Sequence, residues 1–313
     1  MKKVFYANIF FLILVLIQIC GGYIIKPFVR LLHLNLGGIL ITTQILFLIV
    51  PIIIYLLVTK QSLISTLRIK PLKISQLFLV IITGFLVYPI AIFLGLITNL
   101  VFHNNVNDVL GKMSSLPLWV MLLIIAVTPA LCEELTMRGA VLSGYRKLSI
   151  NKAAVITGFL FGVLHLNPPQ FLYTFALGII LAYMVDATGS IFASMICHFI
   201  FNGINVLLSW KNLKSGVKAQ DVTALSPAVR NSALIVLFIF SIISIIIIIA
   251  IIKQLRKNNV NYMQKSESRA DNVYGGVYDE GPEDGHIIGS IKTYSPIIVS
   301  VIIYFVFTFN NYK

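Results

Sequence analysis

Residues 116–142 read LPLWVMLLIIAVTPALCEELTMRGAVL, a largely apolar run interrupted by Glu133, Glu134 and Arg138. At about 1.5 Å of rise per residue, such a run is long enough to cross a hydrocarbon core of roughly 30 Å as a helix. A charged side chain at the centre of that core costs about 3 kcal/mol on insertion scales, so ionisable groups there mark function by default. Elsewhere the first 220 residues hold only Asp108 and Asp186 as carboxylates, with Asp221 just beyond. Two adjacent acids inside an apolar segment are thus the most informative feature of the chain.

The rest of the sequence fixes the class. The 313 residues are 58% hydrophobic and 11% charged, with a mean hydropathy of +0.94, far more apolar than a soluble domain requires. Backbone facing lipid must satisfy its hydrogen bonds within the segment, which leaves helices or a closed barrel. Continuous Ile, Leu, Val and Phe runs lack the alternation of a barrel. The expectation is an all-α polytopic membrane protein. Its candidate spans are 4–25, 37–58, 75–102, 116–145, 153–166, 170–186, 190–209 and 232–252, with a weaker ninth at 296–309. Pro129 predicts a kink in the fourth.

A net charge of +13 does not point to nucleic acid, because the basic residues lie in short loops rather than in one patch. With the N-terminus inside, the loops on that side collect 15 Lys and Arg, against 8 on the other; Arg138 stays in the membrane. The bias predicts a cytoplasmic N-terminus in a cell membrane, with lipids as partners. Cys20, Cys132 and Cys197 all sit in apolar segments and read as buried small hydrophobes. Lys2 and Lys3 before an apolar run resemble a signal peptide, but without a small-x-small site the segment reads as an uncleaved first span. The polar stretch 254–295, with its acidic run Asp279–Asp284, reads as a solvated loop.

Three polar groups carry the chemistry. Glu134 and Arg138 are four residues apart with the acid N-terminal, the better order for a helical ion pair. Glu133 points elsewhere and is suited to general acid/base work. Gly158 and Gly162 form a GxxxG seam that allows close helix approach, and Phe161 and His165 share its face. Ser194, His198, Asn202, Asn205 and Ser209 form one polar stripe on an otherwise apolar helix. Packing roles for the glutamates, an interhelical hydrogen bond for His165 and a permeation path along the stripe are the competing readings. Peptide hydrolysis needs a base for water, an acid for the leaving amine and donors for the oxyanion. Glu133 with His165 can supply the first two, and His198 with Asn202 the third. Simple span boundaries set Glu133 and His165 about 10 Å apart in depth, so a shared site requires tilted helices or a fourth helix running on to Tyr145.

Glu133-Glu134-x-x-x-Arg138, Phe161-x-x-x-His165 and His198-x-x-x-Asn202, in that order over about 90 residues, resemble the three motifs of the CAAX-protease and bacteriocin-processing family, also called CPBP or Abi. That family takes in type II CAAX prenyl endopeptidases and lysostaphin-resistance-like proteins. The resemblance implies an eight-helix core and an intramembrane glutamic endopeptidase. It implies Glu133 and His165 as the water-activating pair, His198 and Asn202 as oxyanion donors, and Glu134, Arg138 and Phe161 in support. No cofactor is expected; zinc ranks below the glutamic mechanism because HExxH is absent. The expected organisation is N-terminal transmembrane helices in 1–115, a catalytic core in 116–209, a core helix in 210–253, and a polar cytoplasmic loop plus terminal span in 254–313. The expected substrate is a peptide or membrane protein, in bacteriocin maturation or self-immunity. A non-catalytic membrane immunity protein and a small transporter are the alternatives.

Overall fold

The structure, a computed structural model, describes residues 2–102, 106–215, 226–267 and 291–311. Among these residues every regular element is a helix. Eight helices are long and apolar enough to cross a membrane: α1 (Lys2–Ile19), α3 (Leu36–Thr59), α5 (Ile74–Asn99), α7 (Leu118–Gly144), α9 (Pro168–Thr188), α10 (Ile191–Lys214), α11 (Pro227–Asn259) and α12 (Ile291–Asn310). The shorter apolar helix α8 (Ile150–Leu164) adds a ninth element. Short helices α2 (Gly21–Leu32), α4 (Leu63–Leu67) and α6 (Val106–Lys112) lie between them. The protein is an all-α, multi-pass membrane protein.

Three segments depart from the expected spans. The first span stops at Ile19 instead of continuing to residue 25, because Gly21 and Gly22 favour a break and Pro27 opposes a long continuation. Helix α11 does not end at residue 252. It continues to Glu267, and residues 253–257 (Lys, Gln, Leu, Arg, Lys), all good helix formers, carry it past the apolar run. The weak ninth segment is a full-length helix, with Pro296 tolerated inside it. Tyr274 and the acidic run from Asp279 to Asp284 lie outside the described residues.

Helix α12 is tied to the bundle by buried polar groups. Asn8 Nδ2 donates to the Thr293 carbonyl at 2.7 Å, and the Tyr145 hydroxyl donates to Asn8 Oδ1. Asn8 and Tyr145 are fully buried, so each needs the partner it has. At one end of the bundle, Arg146 Nη2 donates to the Ser65 and Thr66 carbonyls, the latter at 3.0 Å. Arg256 Nη2 bonds Asp186 Oδ2 at 2.8 Å.

Helices α8 and α9 form a tight antiparallel hairpin through the short connection 165–167, with Pro168 and Pro169 opening α9. A Cβ built on Gly178 would stand 2.6 Å from the Cα of Gly158, and one on Gly162 would stand 2.9 Å from the Phe171 ring. Only glycine permits that approach, as the GxxxG spacing predicts. The outer surface of α11 presents Ile235, Ile239, Ile242 and Ile246, the composition expected against lipid.

Candidate active site

Two transmembrane helices carry π-helical segments, each two residues before a proline. In α3 the segment is Ile45–Ile49 and the proline Pro51; in α7 it is Leu123–Val127 and Pro129. A third segment, Leu135–Val141, follows directly after Glu134. Such widened turns re-aim side chains and are frequent at functional sites. The kink expected at Pro129 has a chemical consequence. Proline has no N–H to offer the carbonyl four residues back, that of Ile125. Asn202 Nδ2, from α10, donates to that carbonyl at 3.1 Å.

The same Asn202 nitrogen lies 3.2 Å from His198 Nε2. On the other side of the ring, His198 Nδ1 donates to Glu134 Oε1 at 2.8 Å. A carboxylate on Nδ1 places the proton there and leaves Nε2 as the acceptor in the neutral ring. Arg138 Nη1 reaches the same Glu134 oxygen at 2.9 Å. Glu134 is 0% exposed and Arg138 1%, so neither charge is tolerable without the other. Ser194, one turn before His198, lies beside Glu134.

Phe161 is the hub of the site. Arg138 stacks over its ring at 4.2 Å from the centroid. The His165 and His198 rings meet its edge at centroid distances of 4.8 and 6.0 Å. His165 caps α8, and its Nδ1 donates to the Phe161 carbonyl at 2.8 Å, which leaves Nε2 to accept. Leu166 follows at φ 48°, a left-handed conformation that costs a non-glycine residue about 1–2 kcal/mol.

The structure brings the expected residues together. Glu133 lies within electrostatic range of His165 and of Tyr173. Helix α7 does run to Gly144, with Tyr145 as its cap. Burial divides the set in two. Glu133, His165 and Asn202 are partly exposed, whereas Glu134, Arg138, Phe161 and His198 are buried. Glu133, His165 and Asn202 stand at the open side of the site; His198 is buried directly behind Asn202, in contact with it, and Glu134, Arg138 and Phe161 back the set.

Sequence reasoning missed Gln44. It ends the first helical segment of α3, and its Nε2 donates to Glu133 Oε1 at 3.2 Å. The available signal was an amide within an otherwise apolar span.

Among the described residues, no three His, Cys, Asp or Glu side chains are gathered to hold a metal. Both nitrogens of His198 already have partners, and His165 Nδ1 faces a carbonyl.

In comparison with protein families, residues 115–204 match the family described as type II CAAX prenyl endopeptidase Rce1-like. No curated protein and no solved structure gave a match. The matched segment runs from just before α7 into α10 and contains all three motifs. It supports a protease of the CAAX type in a multi-pass membrane setting.

Proposed function

From that match as premise, we propose that the protein is an intramembrane glutamic endopeptidase in which Glu133 activates water against a peptide bond. The observation that supports it best is the division of labour between the adjacent glutamates. Glu134 is sealed against Arg138 and His198, whereas Glu133 is partly exposed and takes a hydrogen bond from the neutral amide of Gln44. A carboxylate bonded directly to a cation is a poor base; one bonded by a neutral amide is a serviceable one.

In this reading a water held between Glu133 and His165 Nε2 attacks the scissile carbonyl. Glu133 takes its proton, and the tetrahedral intermediate carries a negative oxygen. Asn202 Nδ2 and His198, which takes a proton from solvent on Nε2 before the attack and keeps it through the cycle, supply the donors for it. In the resting geometry those two groups face each other, so the oxyanion must displace their mutual contact. Glu134 stabilises the imidazolium that results, much as a buried carboxylate steadies a catalytic histidine elsewhere. Collapse returns the proton through Glu133 to the leaving amine. No cofactor or metal takes part. The proposed substrate is a peptide or membrane protein cleaved within reach of the bilayer, and the proposed setting is bacteriocin maturation or self-immunity in a bacterial cell membrane with the N-terminus cytoplasmic.

The test uses the full chain in nanodiscs, incubated with a synthetic library of hydrophobic peptides and read by mass spectrometry for new termini. Wild type should create cleavages that Glu133→Gln does not. Equal cleavage by both proteins rejects Glu133 as the base.

A further inference from the structure

Gln44 lies well outside the segment that carries the motifs, yet it is the side chain that holds Glu133. Its Nε2 donates to Glu133 Oε1 at 3.2 Å across 89 residues of sequence. Its own oxygen, Oε1, is buried and has no partner. A buried amide with an unsatisfied carbonyl oxygen is a destabilising choice in a largely apolar membrane helix. Methionine would fill the same volume without that cost. Retaining the amide gives Glu133 something methionine cannot, a directed N–H.

We propose that Gln44 is a positioning residue for the reaction proposed above, orienting the Glu133 carboxylate through a neutral donor. The neutrality matters. In a low-dielectric interior a lysine or arginine here would neutralise Glu133 as Arg138 neutralises Glu134. The amide fixes one carboxylate oxygen and leaves the group able to accept a proton. Helix geometry serves the same end. The π-helical turn Ile45–Ile49 begins immediately after Gln44, and a widened turn shifts the register of the side chains around it. The inference depends on the protease reading for its purpose, but the hold on Glu133 is testable without any cleavage.

The probe for that hold is dicyclohexylcarbodiimide, an apolar reagent that reacts with protonated carboxyl groups within membranes. Wild type, Gln44→Met and a Glu133→Gln control, each as the full chain in nanodiscs, are labelled at pH 7 and mapped by mass spectrometry. Loss of the N–H favours the protonated carboxyl, so Gln44→Met should label at Glu133 at least threefold faster, with Glu134 unchanged in both. Its melting temperature should equal or exceed that of wild type, which distinguishes loss of positioning from loss of fold. On any peptide cleaved by wild type, kcat should fall about tenfold or more with KM within twofold. Labelling at the wild-type rate overturns the proposal, as does full kcat in Gln44→Met. Faster labelling with no peptide cleaved by wild type would leave the hold on Glu133 standing and sink the protease reading instead.

Discussion

The buried Glu134–Arg138 pair gives the sharpest prediction about what holds the site together. Glu134→Leu leaves a guanidinium that is 1% exposed without the carboxylate it bonds at 2.9 Å. Breaking a buried pair from one side costs about 3–5 kcal/mol, because the remaining charge is uncompensated. The same change strips His198 Nδ1 of its acceptor at 2.8 Å, adding about 1–3 kcal/mol for an unsatisfied buried donor. The double variant Glu134→Leu/Arg138→Met removes both charges, and apolar replacement of a buried pair is often neutral. It should recover most of the lost stability and keep only the His198 deficit. Neither variant should cleave peptide, since His198 is released in both. The assay is equilibrium unfolding in mixed micelles with increasing SDS, run as a full double-mutant cycle. A coupling of about 2 kcal/mol or more is expected from the difference between those costs. A single variant within about 1 kcal/mol of wild type, or a double variant no better than the single, would refute the reasoning.

Asn202→Leu should cost about 1–3 kcal/mol by orphaning the Ile125 carbonyl, measured by the same unfolding assay. Adding Pro129→Ala restores an N–H to that carbonyl, so stability should return while activity stays lost. Gly178→Val should destabilise by about 1–3 kcal/mol or more through overpacking, because a Cβ there meets the Gly158 backbone at 2.6 Å; unchanged stability would show that the α8–α9 seam yields easily. Asn8→Leu removes the acceptor of Tyr145 and the donor to Thr293. It should loosen α12, seen as faster proteolysis near residue 291 in the intact chain, and leave the Glu133 site labelling unchanged.

Local spacing made much of the site readable. Glu134 with Arg138 and His198 with Asn202 are each one helical turn apart, so the period itself places the partners on a shared face. Gly158 and Gly162 announced close packing in the same way. Contacts between distant elements left weaker traces. Gln44 and Glu133 are separated by 89 residues, and nothing in the local pattern of α3 names its partner. The bond from Asn202 to the Ile125 carbonyl arises only because Pro129 has no N–H, which couples a helix break to a side chain on another helix. His198 was expected to pair with Asn202, but spacing gave no sign that Glu134 would hold its opposite nitrogen. The extension of α11 to Glu267 was hidden by charge: Lys253, Arg256 and Lys257 end an apolar run without ending a helix.

The most direct test of the central claim compares new protein N-termini in membranes of cells expressing wild type or Glu133→Gln at equal levels. The account predicts a set of cleavages in membrane or secreted peptides that appear with wild type alone, which would also name candidate substrates. Identical sets, together with an immunity phenotype retained by Glu133→Gln, would contradict catalysis and assign the fold to binding.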